Sequence, residues 1–110
     1  MVDTTLGKIE NIIRREASLP EKDKTKLLEL LGSLKNDIAE LSKIHSEEAE
    51  SIIGFIERST HEASRKKKNP KLLKLSIDGI SESVKEFEVS HPKLVETVNY
   101  ISSVLANMGI

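Results

Sequence analysis

Residues 19–64 read LPEKDKTKLLELLGSLKNDIAELSKIHSEEAESIIGFIERSTHEAS, and the architecture turns on how this stretch divides. Leu27, Leu31, Leu34, Ile38 and Leu41 step by four, three, four and three, the spacing of one apolar helix face. The pattern runs on through Ala49, Ile52, Ile56 and Ala63, but the 41–45–49 step puts His45 on the seam and breaks heptad phase. No proline or glycine interrupts residues 33–53. A single helix over 19–64 would be about 70 Å long at 1.5 Å per residue. The rest of a compact chain, with a radius of gyration of about 13 Å, could not cover it. The alternative is a break near Ser46, whose hydroxyl would cap a new helix with Glu47 and Glu48 set favourably in its first turn. The interruption signals are weak, so the pattern favours one long helix whose exposed seam meets a second protomer. The candidate oligomer seam is then Leu27, Leu31, Leu34, Ile38, Leu41, His45, Ile52 and Ile56, with His45 a buried polar group that fixes register.

On the N-terminal side, Leu6, Ile9, Ile12 and Ile13 recur at helical spacing after Asp3, Thr4 and Thr5, giving a short helix over about 5–16. Ser18 with Glu21 has the capping-box pattern, and Pro20 fits the first turn of the long helix. On the C-terminal side the punctuation is RKKKNPK, residues 65–71, where Asn69 suits an N-cap and Pro70 a first helical residue. Leu73, Ile77, Ile80, Val84 and Phe87 then mark a helix over about 70–88. Asp78-Gly79 signals a hairpin in other settings, but the helical pattern around it spans four turns. Gly79 therefore permits a close helix crossing or costs about 1 kcal/mol relative to alanine. In VSHPKL, residues 89–94, Ser90 or His91 caps and Pro92 opens a last helix over about 91–108, lined by Leu94, Val98, Ile101, Leu105 and Met108. Gly109 and Ile110 suit the C′ and C″ positions of a Schellman ending; the alternative is an exposed terminal peptide read by a partner. The expected fold is all-α: a helical hairpin or bundle of three to four helices with one long helix, completed by oligomerisation.

Composition agrees with one domain. The chain has 110 residues, three aromatics and no tryptophan, so its core is aliphatic, as in helix bundles. A net charge of −1 sets up no global field toward nucleic acid. With no cysteine there is no disulfide framework, no thiolate chemistry and no thiolate zinc site. The charged start, MVDTTLGKIENIIRREA, lacks an apolar h-region, and no stretch approaches the roughly 20 apolar residues of a membrane span. The expectation is a cytoplasmic protein with no membrane span.

Few residues invite chemistry. Glu57 and His61 are four apart and could share a metal on one helix face. Di-iron bundles instead use Glu-x-x-His on paired helices, and the only such spacing, Glu88-x-x-His91, is pulled out of a helix by Pro92. A phosphotransfer histidine would expect lysine and glycine at fixed offsets, whereas His45 is succeeded by acids that repel a phosphoryl donor. There is no Gly-x-Ser-x-Gly elbow and no phosphate-binding glycine loop. We therefore assign no catalytic residue, no metal ligand and no cofactor, and expect a protein that is not an enzyme. The sharpest local feature is basic: Arg65, Lys66, Lys67, Lys68, Lys71 and Lys74 gather at one helix junction. They could meet phosphates, an acidic partner or an anionic surface, but no aromatics are interleaved to stack bases. A solvated junction that neutralises Glu47, Glu48 and Glu50 of a neighbouring protomer fits better than nucleic acid.

The C-terminal stretch FEVSHPKLVETVNYISSVLANMGI, with its Phe-Glu…His-Pro-x-Leu turn and Met-Gly-Ile ending, resembles the signature of the bacterial domain-of-unknown-function 4404 family. HSEEAESIIGFIERSTHEASRKKKNPKLLKLSIDG resembles a longer variety of it, and LPEKDKTKLLELL is similar as well. The resemblance implies a short, soluble, helical bacterial protein and no activity. Together the observations lead us to expect a non-catalytic interaction or scaffold protein, a homo-oligomer with a protein partner; the alternative is anion or nucleic-acid association through residues 65–74.

Overall fold

The apolar seam does not continue as one rod. In the computed structural model, which describes residues 2–16 and 19–108, five helices succeed one another. They are α1 (Val2–Arg15), α2 (Glu21–Ser42), α3 (Ser46–Ser64), α4 (Pro70–Val84) and α5 (Pro92–Met108), with a 3-10 turn at Lys85–Phe87. The fold is all-α, with no strand among the described residues.

The break after Ser42 corrects the long-helix expectation. The phase of the apolar residues does not force it, since at 100° per residue the seam from Leu27 to Ala63 stays within an arc of about 80°. What the turn supplies is coverage, because the rest of the chain could not bury a rod of that length. Lys43 and Ile44 form a turn, and His45 leaves helical geometry at φ −123°, ψ 61°. The His45 N–H still donates to Leu41 O at 2.8 Å, and its carbonyl accepts from Ala49 N at 2.9 Å, so the turn leaves neither group of His45 orphaned. His45, rather than Ser46, occupies the N-cap position of α3, and no side chain caps it. Glu47 and Glu48 do fall in the first turn, where the helix dipole favours them.

Folding back gives the seam an internal partner. Leu27, Leu34, Ile38, Leu41, Ile52 and Ile56 are each essentially inaccessible within the single chain, and Leu31 is nearly so. The seam is thus covered by the chain's own helices, and the reason for expecting a second protomer along it is gone. His45 lies half-buried at the turn, its ring edge-on to Phe87 at 5.3 Å. The radius of gyration of 12.9 Å matches the roughly 13 Å of a self-contained chain of this length.

α3 is the hub. It touches all four other helices, while α1 touches only α2 and α3, and α4 packs between α3 and α5. Its burial reflects that place: Ala49, Ile52, Ile53, Ile56, Thr60 and Ala63 are all hidden. The last helices start as their sequence indicates. Asn69 Oδ1 accepts from Leu72 N at 3.2 Å, with Pro70 in the first turn of α4, and Pro92 opens α5. Pro20 precedes α2 with no side-chain cap. The Ser18 half of the expected capping box and the Gly109-Ile110 ending lie outside the described residues.

Candidate interaction surface

The sequence places Gly79 in mid-helix, and the structure shows what it accommodates. A Cβ built there would lie 2.5 Å from Cδ1 and Cε1 of Phe55, so the phenyl ring rests directly on the α4 backbone. Phe55 cannot join the core, because the i, i+3 and i+4 positions facing inward on α3 are already Ile52, Ile53 and Ile56. It lies across the groove between α3 and α4 and stays 41% exposed. Leu72 and Leu75 flank it from α4 at 43% and 65% exposure, and Arg58, Glu62 and Ser76 complete the lining. Other large exposed apolar residues, Ile44, Val89 and Tyr100, lie elsewhere, the first two in turns. Among the described residues it is here that three such side chains share one groove, the arrangement that marks an interaction site.

The groove floor carries a fixed charge cluster. The Glu62 side chain is only 4% exposed, and its Oε1 accepts from Arg65 Nη1 at 2.9 Å while Oε2 lies 3.7 Å from Arg58 Nη1. Two guanidiniums on one buried carboxylate leave a net positive charge at this end and hold both arginines at the groove edge. At the far end of α4, Glu82 accepts from Lys85 Nζ at 2.7 Å; that contact holds the Lys85 ammonium above the ordinary lysine range.

The basic run divides between paired and unpaired side chains. Arg65 is committed to Glu62, and Lys74 Nζ donates to Asp78 Oδ2 at 3.2 Å. Lys68 Nζ donates to Met108 O at 2.7 Å, placing a cation on the C-terminal end of α5, where the helix dipole favours it. Lys66, Lys67 and Lys71 are exposed, and their side chains form no ion pair or hydrogen bond among the described residues. Three of the six cations are therefore paired and three are not, among the described residues.

The histidines separate. His61 sits with Glu57 and Arg58 in a shallow groove between α1 and α3 that also reaches Ile12 and Gly54. His45 and His91 both stack edge-on to the Phe87 ring, at 5.3 and 5.7 Å, and Ser90 Oγ lies 2.9 Å from His91 Nδ1. No three His, Asp or Glu side chains among the described residues gather around a common metal position. No described helix is long and apolar enough to cross a membrane. The Phe55–Gly79 groove escaped sequence reasoning, although Phe55 standing off the core register of α3 was a readable signal.

The model of one family, described as Domain of unknown function (DUF4404), matches residues 46–110, more than half of the chain. The match begins at the first residue of α3 and takes in α4 and α5, so α1, α2 and the LPEKDKTKLLELL stretch lie outside it. No curated protein and no solved structure matches the chain.

Proposed function

The chain belongs to the Domain of unknown function (DUF4404) family, and we propose that this member is a non-catalytic interaction protein that docks a helical protein partner on its α3–α4 face. One observation carries the reading. The chain closes its own aliphatic core yet leaves Phe55, Leu72 and Leu75 exposed together in one groove. A monomer gains nothing from that exposure, whereas a partner helix laid between α3 and α4 would remove all three side chains from water. The charged rim supplied by Arg58 and Lys71 would set its orientation. We place the protein in a bacterial cytoplasm, in keeping with its lack of cysteine.

A tagged pull-down from the native host, with and without nuclease, tests this against the Leu75→Glu variant. A defined protein retained after nuclease and lost with Leu75→Glu is the expected result. A second reading, association with phosphates through the three uncommitted lysines Lys66, Lys67 and Lys71, is favoured only by their lack of partners among the described residues. It would take precedence if material co-purified solely without nuclease and its retention fell steeply with salt.

A further inference from the structure

The α3–α4 face is polar along its length as well as apolar at its centre, and this fits one occupant in particular. The two helices run antiparallel, since Phe55 of α3 meets Gly79 of α4 while Glu62 lies with Leu72 and Leu75 nearer the connection. Stepping along the outer stripe of α3 by three and four residues passes the half-buried Glu48, the exposed Ser51, Phe55 and Arg58, and ends on the buried Glu62. The matching stripe of α4 passes Lys71, Leu75, Gly79 and Glu82, and Glu86 follows in the 3-10 turn. Acidic residues therefore gather at one end of the face, with Glu47 beside Glu48 at the start of α3 and Glu82 and Glu86 opposite. Basic residues gather at the other: Arg58 on α3, Arg65 just after it and Lys71 on α4.

The internal ion pairs leave this polarity in place. Lys85 neutralises Glu82, but Glu47, Glu48 and Glu86 keep their charge. Glu62 offsets only one of Arg58 and Arg65, and Lys71 has no ion-pair partner among the described residues. With Phe55 midway between the ends and Leu75 one turn toward the basic end, the charged ends are complementary when the face is turned end for end.

We propose that the partner of this face is a second copy of the same chain, related by a two-fold axis near Phe55 and Leu75, so that each copy's basic end meets the other's acidic end. The inference rests on the reading of the α3–α4 face as an interaction surface and adds the identity of what covers it. A two-fold axis makes every contact count twice and gives a closed dimer with no free end to propagate. A face two helices wide, about 20 Å, and as long as α3, about 28 Å, offers roughly 550 Å² per copy. That is the small end of specific interfaces, so the dimer forms reversibly, with a dissociation constant on the order of micromolar.

Sedimentation velocity of the full chain over a concentration series is the test. The wild type is expected to shift from monomer to dimer across the micromolar range, and to dissociate about tenfold more readily when salt screens the end charges. Leu75 is 65% exposed in the monomer, so Leu75→Glu folds, and it is expected to weaken the dimer at least about a hundredfold. Across the two-fold, Lys71→Glu sets like charge opposite Glu86 of the other copy, and Glu86→Lys sets like charge opposite Lys71. Each alone is expected to dimerise roughly tenfold more weakly, and an equimolar mixture to recover as a heterodimer. A wild-type chain that stays monomeric at about a hundred times the expected dissociation constant overturns the proposal. So does a dimer indifferent to Leu75→Glu, or variants that fail to recover on mixing. If the isolated chain is monomeric while the pull-down still captures another protein through Leu75, only the second-copy inference falls. If neither depends on Leu75, the interaction face itself is wrong.

Discussion

At the scale of single residues, two positions separate packing from propensity. Gly32 lies in α2 with nothing within 4 Å of a built Cβ, so alanine there relieves the helix of glycine's backbone freedom and meets no neighbour. Gly32→Ala is expected to raise stability by about 0.5–1 kcal/mol. Gly79→Ala has the same helical advantage but drives a methyl into the Phe55 ring. Its gain should be absent or reversed. Denaturant midpoints of the two variants decide the point, and equal stabilisation would mean that the ring does not rest on the α4 backbone. Glu62 provides a second contrast. Its carboxylate is buried between arginines that are themselves partly exposed, so Glu62→Gln removes a charge-assisted pair without stranding a fully buried cation. A loss of about 1–2 kcal/mol is expected in the same measurement, well below the roughly 3–5 kcal/mol of breaking a fully buried pair.

At the scale of elements, local chemistry set the boundaries that were readable in the sequence, and tertiary packing set the one that was not. Asn69-Pro70 and Pro92 opened helices where expected, because a capping amide and a proline act through their immediate backbone neighbours. Asn69→Ala should therefore cost about 1 kcal/mol, seen as a lower thermal midpoint, and Asn69→Asp should restore most of it. The α2–α3 break was not legible in that way. Lys43, Ile44 and His45 contain no breaker, and Ser46 supplies no side-chain cap. What the break supplies is coverage: reversal after Ser42 lets α2 and α3 pack on each other and on the remaining helices, where a continuous rod would leave most of its apolar face in water. The phase slip at His45 was visible; that it is resolved by a turn rather than by supercoiling depends on α1, α4 and α5, which no local window contains. The same limit applies to the candidate site. The basic run was plain in the sequence, but Arg65, Lys68 and Lys74 are engaged by Glu62, Met108 O and Asp78, and only Glu62 and Asp78 are near enough in sequence to be read as helix-spaced pairs. The groove depends on Phe55 and Gly79, distant in sequence, meeting across a helical hairpin.

At the scale of the whole molecule, the core accounts for the chain as a unit. α1 contributes Leu6, Ile9 and Ile13, all buried, through contacts with α2 and α3 alone. Burial of three such side chains is worth about 5–9 kcal/mol, comparable to the whole net stability of a small domain. Deleting residues 1–18 is therefore expected to abolish the cooperative thermal transition. Retention of a sharp transition would mean that α2–α5 fold without the helix packed on them.

A single chain thus closes its own core through the α2 seam and presents its α3–α4 face outward. Both halves of that statement are exposed to a dilution series of amide chemical shifts, run from about a hundred times above the micromolar dissociation constant to well below it. Shifts confined to α3 and α4, around Ser51, Phe55, Leu75 and Gly79, are expected, with the amides of Leu27, Leu34 and Leu41 unmoved and the fold intact at the lowest concentration. Movement along α2, or loss of dispersion on dilution, would contradict this and return the seam to the interface between chains.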